Sequence, residues 1–267
     1  MNGPGDWDDP PPELVAAAGE ALAGAVGLSL GAGLPGSLAL AIKVAAQELG
    51  QRPAALAAAA AAGERGALEL LAEHAVIGET AFWRHAEGLV ALAAELAGSE
   101  KPLRLWSAGC ATGEEPYSLA LALLDAGRDR EEDRILGTDV SARALGRAWA
   151  GVYGTRAVRK LPEPLARRWL RPTEHGAQVD EWLARCCRFE RHNLLDGAPG
   201  DHFDAVVCRN VLIYFAPEVA ASALQRLAGA VAPGGWLLLG PVELPLAGGL
   251  RFEWVERGGA TLLRRPA

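Results

Sequence analysis

The apolar positions change character along the chain. Between Leu103 and the C-terminus they gather in short runs, clearest at Leu103–Trp106, Ile135–Gly137, Ala205–Cys208 and Trp236–Leu239, separated by turns and by stretches of helical period. Strands alternating with helices predict a parallel sheet covered on both faces. Before Gly98 the pattern differs, because Glu13–Leu96 is dominated by Ala and Leu interrupted by glycines. That composition predicts several short helices packed through small residues. The reading is therefore a helical N-terminal domain over 1–98, with a loose Gly/Pro/Asp tail at 1–12, and an α/β domain over 99–267 joined at the Gly98–Pro102 linker. An insertion at about 161–192 interrupts the α/β domain; Leu161–Trp169 is expected to be helical, while Trp182–Glu190 fits helix or strand.

The first strand carries the strongest chemical signal. LRLWSAGCATGEEPYSLA, Leu103–Ala120, reads as strand, turn of small residues, helix. Gly109 and Gly113 let the backbone turn tightly and come close to a ligand, and the following helix start offers free N–H groups and a positive dipole end. The spacing is neither the G-x-G-x-x-G of dinucleotide sites nor a phosphate loop, so the turn alone indicates a nucleotide-like ligand and no more. ILGTDVS, Ile135–Ser141, ends a second strand in Asp139, where doubly wound folds set an acidic side chain against ribose hydroxyls. FDAVVCRNVLIYF, Phe203–Phe215, runs a further strand into the polar Arg209-Asn210 turn.

Composition narrows the classes. Half of the 267 residues are hydrophobic, enough for a substantial core. The net charge of −7 is uneven: residues 1–98 hold 12 acidic and 4 basic side chains, while the remainder holds 21 and 22. Nothing in that acidic third favours nucleic acid or an anionic membrane surface. The uncharged run Ala21–Ile42 contains five glycines and a proline, too weakly apolar for a membrane span. Four cysteines without C-x-x-C spacing, and no cleavable signal sequence, read as reduced thiols of a cytoplasmic protein. The five histidines show no metal spacing. Gly27–Gly31, GLSLG, matches a hydrolase nucleophile elbow but lacks the preceding strand, so Ser29 is expected to be structural.

Taken together, WSAGCATGEEPYS (Trp106–Ser118), TAFWR (Thr80–Arg84), Gly137–Ser141, Asn193-Leu194 and CRNVLIYF (Cys208–Phe215) resemble the chemoreceptor glutamate methyltransferases, the CheR family. The resemblance implies a Rossmann-like S-adenosylmethionine-dependent methyltransferase sheet preceded by a small all-helical domain. It implies transfer of a methyl group from S-adenosylmethionine to glutamate side chains of a chemoreceptor-type protein, leaving S-adenosylhomocysteine. Thr80, Arg84, Gly109, Glu114, Asp139, Asn193, Leu194, Arg209 and Asn210 are the implied cofactor contacts, with Asp139 on the ribose, Glu114 at the methionyl end, and Asn193 and Leu194 bordering adenine. Arg84 and Tyr214 are the implied catalytic residues, the first holding the incoming carboxylate and the second orienting it. No metal is implied, and the implied partner is an acidic helical region of the receptor.

Each position also has a plainer reading from the residues alone. Thr80 and Arg84 lie four apart, on one face if the segment is helical, as an N-cap beside an aromatic core; Asn193 suits an Asx turn; Arg209 suits an ion pair with Asp204; Tyr214 suits a core aromatic. Two other functions share the cofactor site: methylation of another protein or a small molecule, and a non-catalytic binding module. The sequence departs from the family pattern at Gly78, at Trp83 where a second Phe is usual, and at Pro241-Val242-Glu243 where His-Ser-Glu is frequent. It also differs in charge, since the basic residues concentrate at Arg156, Arg159, Lys160, Arg167, Arg168 and Arg171, near the insertion, and not in the N-terminal domain.

Overall fold

In the computed structural model, residues 9–29, 35–75, 78–200 and 202–267 are described. They form two compact units, one comprising the chain up to Ile77 together with Tyr214–Ala220, the other Gly78–Ile213 with Ala221–Ala267. The loose tail expected at 1–12 lies for the most part outside the described residues.

The first unit is built on α1 (Pro12–Val26), α2 (Pro35–Leu49), α3 (Pro53–Ala61) and α4 (Arg65–Ala75). Prolines open three of them, where a missing N–H and a fixed φ do no harm. Leu22, Ile42, Leu56 and Leu71 are its most buried large side chains, packed among alanines small enough to let the helices approach closely. The alanine-rich α3 holds the sequence PAALAAAAA, and the uncharged stretch Ala21–Ile42 is divided between α1 and α2. No helix among the described residues is long and apolar enough to cross a membrane. The N–H of Ser29 donates to the carbonyl of Tyr214 at 2.7 Å, and Leu28 bridges to Phe215, so the serine sits at a backbone contact and not on a strand-to-helix elbow.

The second unit opens with α5 (Ala86–Ala97), which corrects the domain boundary expected at residue 98. Leu89, Leu92, Ala93 and Leu96 form its buried stripe, within the same core as strand residues Leu105, Ala205 and Leu238. Gly88 lets the helix lie close: an added Cβ would stand 2.9 Å from Leu238. Helical composition continues across residues 78–98, but the face that α5 buries belongs to the sheet.

That sheet contains β1 (Arg104–Ala108), β2 (Arg134–Asp139), β6 (Cys187–Arg191), β7 (Phe203–Cys208), β8 (Val231–Leu239), β9 (Glu253–Arg257) and β10 (Ala260–Arg264) in the order β6-β2-β1-β7-β8-β10-β9. The first five are parallel; β10 runs antiparallel to β8, and β9 antiparallel to β10. Helices α6 (Glu114–Asp125), α7 (Ala142–Ala150) and α11 (Pro217–Ala230) connect the parallel strands. Strand order reverses between β1 and β7, which places a crevice at their carboxyl ends.

The insertion is larger at its start, and shorter at its end, than residues 161–192. It begins at β3 (Val152–Gly154), continues through α8 (Thr155–Val158), α9 (Glu163–Trp169), β4 (Leu170–Thr173) and β5 (Gly176–Val179), and ends with α10 (Glu181–Cys186). β3, β5 and β4 form a separate antiparallel sheet. Gly176 admits the close pass of β3, since an added Cβ would fall 1.9 Å from the Tyr153 carbonyl. The ambiguous stretch Trp182–Glu190 is split: residues up to Cys186 belong to α10 and those from Cys187 to main-sheet strand β6. The adjacent cysteines therefore sit at a helix end and a strand start, both buried and both free.

Candidate active site

The turn after β1 is held from two sides. Gly109 and Cys110 donate their N–H groups to the Thr138 carbonyl, each at 2.8 Å, and Ala111 donates to Asp139 Oδ2 at 2.9 Å. The other carboxylate oxygen of Asp139 accepts from Ser141 N–H at 2.9 Å. The buried acid thus fixes both its own turn and the neighbouring one. Gly109 and Gly113 have φ of 73° and 91°, and an added Cβ would meet Val211 and Ala148 at 2.5 and 2.6 Å, so conformation and space both call for glycine.

Glu114 opens α6 with its side chain buried, accepting from Thr112 Oγ1 at 2.6 Å. A helix N-terminus favours an anion, yet burial dominates and raises its pKa; the Thr112 hydroxyl and the Arg147 charge oppose the rise. Tyr117 and Tyr153 brace this turn through hydroxyl donation to the carbonyls of Ala148 (3.0 Å) and Thr112 (2.7 Å). Burial holds both phenols far above their usual range. The four cysteines are likewise buried, with thiol pKa values raised by desolvation, so they are poor nucleophiles.

At the end of β7, Arg209 joins three segments. Its Nε donates to Glu115 Oε2 at 2.8 Å, and its Nη1 donates to the carbonyls of Arg84 and His85 at 2.9 and 2.7 Å. Glu115 Oε1 accepts from Ser107 Oγ at 2.8 Å. The suggested Arg209–Asp204 pair does not form: Asp204 instead bridges to Lys101 at 2.7 Å and accepts from the Arg104 N–H. Facing the start of β7, Asp204 stands at the opposite end of the strand from Arg209.

Thr80–Arg84 is not helical. Residues 78–81 are irregular and 82–85 form a turn, with Trp83 and His85 at φ of 60° and 45°. The one-face relation of Thr80 and Arg84 therefore fails. Phe82 anchors the segment, fully buried against Tyr153 with ring centroids 4.8 Å apart and its N–H donating to Ala157. Trp83 N–H donates to Ser118 Oγ at 3.0 Å, and Arg84 Nη1 to the Glu79 carbonyl at 2.7 Å.

Asn193 forms the Asx turn, its Oδ1 accepting from Leu195 N–H at 3.0 Å, and Leu194 beside it is buried. Asn210 takes a left-handed φ of 59°. Five non-glycine residues among those described have positive φ, and Trp83, His85, Ala111 and Asn210 are four of them. Such strain, of order 1–3 kcal/mol per residue, is concentrated around the crevice. Tyr214 lies in the other unit, partly buried against its helical core.

Two residues that shape this region were missed by the sequence reading. Glu115 is one. The other is Glu243, fully buried, whose carboxylate accepts the N–H groups of Asn210, Val211 and Leu212 at 2.8 Å and of Gly240 at 2.9 Å. The only sequence signal was an acid left in place where the preceding His-Ser pair of the family pattern is replaced.

A doubly wound domain with a glycine turn after its first strand, a clasping acid after its second and a crevice at the sheet's switch point belongs to the nucleotide-cofactor class of α/β proteins. Residues 78–248 match the family model described as "CheR methyltransferase, SAM binding domain", and the chain belongs to the CheR methyltransferase family. It is 37% identical over 69% of its length to a "Probable biofilm formation methyltransferase WspC" of Pseudomonas aeruginosa, covering 46% of that protein. It is 36% identical over 61% of its length to a "Chemotaxis protein methyltransferase" of Vibrio parahaemolyticus, covering 62% of that protein. The chain thus spans about half to under two thirds of these relatives' lengths.

Proposed function

We propose that the protein methylates glutamate side chains of a chemoreceptor-type protein in the cytoplasm, using S-adenosylmethionine. The observation that carries this reading is the coincidence of the family match with the Asp139-clasped turn at the sheet's switch point. The residues there suit the cofactor. Asp139 offers a buried carboxylate, an acceptor-only group suited to ribose hydroxyls. Glu114 offers a desolvated carboxylate whose raised pKa a neighbouring ammonium group would lower.

When bound, the cofactor supplies an electrophilic methyl carbon and a thioether leaving group. A glutamate carboxylate, with a reference pKa of about 4.3, is already anionic at neutral pH and needs no general base. The work left to the chain is placement, worth roughly 7–11 kcal/mol of barrier for well-oriented groups. Arg84 holds the incoming carboxylate, Tyr214 orients it, Arg209 fixes the Arg84 backbone, and Asn193 with Leu194 borders the adenine. Thr80, Gly109 and Asn210 complete the set.

For receptor docking the insertion supplies the positive charge. Arg167 pairs with Glu163, Arg171 with Asp180, and Arg168 lies over the Trp169 ring. Among the described residues Arg159 and Lys160 have no anionic partner, which leaves them for an acidic receptor helix.

Incubation with methyl-labelled cofactor and a chemoreceptor cytoplasmic fragment should give label released as methanol by mild base. Base-stable label would point to another acceptor atom, and cofactor binding without any transfer to a non-catalytic module.

A further inference from the structure

Resting on that proposed activity, the structure assigns a second recognition element to the rim of the site: an aliphatic platform of Ile213, Val242 and Leu246 that takes an apolar side chain of the substrate protein beside the methylated glutamate. All three are large apolar residues left in solvent, 44%, 71% and 41% exposed. Their places in the chain put all three at one end of the sheet. Ile213 follows the Arg209–Leu212 turn at the carboxyl end of β7, Val242 follows β8 at the same end of the sheet, and Leu246 lies in the helical turn Leu244–Gly249 after it.

The Glu243 carboxylate binds these two loops into one body. It accepts from Asn210, Val211 and Leu212 of the first loop and from Gly240 of the second. Val242 is its chain neighbour, and Ile213 follows the last of its donors. Gly240 is required for the clasp, since a Cβ there would stand 2.5 Å from Glu243 Oε2. A buried anion with four backbone donors is an expensive way to shape a surface loop, and what it presents is apolar. Scattered exposed aliphatics are ordinary, but a group on a rigid rim beside a site is the mark of a contact surface.

The location selects the occupant. The rim is continuous with the Arg209-Asn210 turn, at the end of the sheet that carries the Gly109–Gly113 turn and Asp139. A polypeptide presenting a glutamate to that crevice passes over the rim within a few residues of the target. The cofactor is polar at both ends and is accounted for by other residues, so the aliphatic surface falls to the substrate chain. Electrostatic attraction then brings the partner in, while this platform sets which glutamates are accepted.

The test uses the full chain, labelled cofactor and two helical peptides centred on glutamate, one flanked by leucines and one by serines on the same face. The parent should favour the leucine peptide about tenfold in kcat/KM, in the range that a few methylenes in an apolar contact provide. Val242→Asp and Ile213→Asp should bring the ratio near one by raising KM for the leucine peptide, with cofactor affinity unchanged; Val242→Leu should keep the preference. Val242→Ser serves where an aspartate variant fails to fold. Equal turnover of both peptides by the parent, or a preference that survives Val242→Ser and Ile213→Asp, overturns the platform. Transfer to neither peptide nor to a chemoreceptor fragment overturns the proposed activity instead.

Discussion

Arg209 Nε lies 2.8 Å from Glu115 Oε2, and the two side chains are only 7% and 12% exposed. The pair ties the end of β7 to the first turn of α6, while the same guanidinium reaches the Arg84 and His85 carbonyls. Removing one partner of a buried pair costs about 3–5 kcal/mol, because the other charge is left uncompensated. Glu115→Ala should therefore lower the melting temperature by roughly 5–15 °C. Arg209→Met combined with Glu115→Leu should recover much of that loss in calorimetry yet leave turnover low, since the Arg84 backbone is no longer fixed.

Asp139→Ala removes the acceptor of the Ala111 and Ser141 N–H groups as well as the proposed ribose contact. Binding of S-adenosylhomocysteine, followed by titration calorimetry, should weaken at least tenfold, on the scale of a lost charged hydrogen bond. Asp139→Asn should retain more stability than affinity. Parent-like affinity in both variants would remove Asp139 from the cofactor site.

Glu114 has a pH signature. Burial raises its carboxyl above the ordinary value, so between the unfolded and folded pKa values the native chain holds a proton that the unfolded chain has released. Stability falls as pH rises through that interval. Glu114→Gln should thus melt higher than the parent at pH 7 without ligand, with the advantage vanishing below about pH 4. Cofactor affinity should drop about tenfold in the same variant; a parallel gain in affinity would refute its role at the methionyl end.

Glu243→Ala strips the acceptor from four N–H groups, those of Leu212 and Gly240 buried and those of Asn210 and Val211 partly so. A loss of about 3–5 kcal/mol in denaturant unfolding is expected. Glu243→Gln, which retains one accepting oxygen, should fall between.

Tyr214→Phe should reduce kcat about tenfold to a hundredfold with cofactor affinity within a factor of two, as for a group that acts on transfer and not on uniform binding, whereas Arg84→Ala, at a residue implied on the cofactor as well, should lower kcat similarly and weaken cofactor binding by a smaller factor. Stopped-flow turnover and calorimetry on the same preparations separate the two quantities. Parent-level kcat in both would return Arg84 to a surface contact and Tyr214 to the helical core.

Local patterning was enough to identify β1, β2, β7 and β8, the Gly109–Gly113 turn and the acid closing β2, because period, turn chemistry and capping are written in neighbouring residues. The helical character of the N-terminal part was equally plain. Where that part ends was not: α5 has the same composition as α1–α4, and only the surface its leucines bury assigns it to the sheet. The Thr80–Arg84 segment misled for a related reason, since its four-residue spacing suits a helix while Phe82 anchoring and the Arg209 and Ser118 contacts hold it in left-handed turns. Arg209 had an obvious partner five residues away in Asp204, but a strand sends its two ends to opposite edges of the sheet, and Glu115, 94 residues distant, is the one that arrives. Glu243 shows the same limit most fully: a carboxylate's value here lies in four N–H groups converging from two loops, and convergence of that kind exists only once β7 and β8 lie side by side.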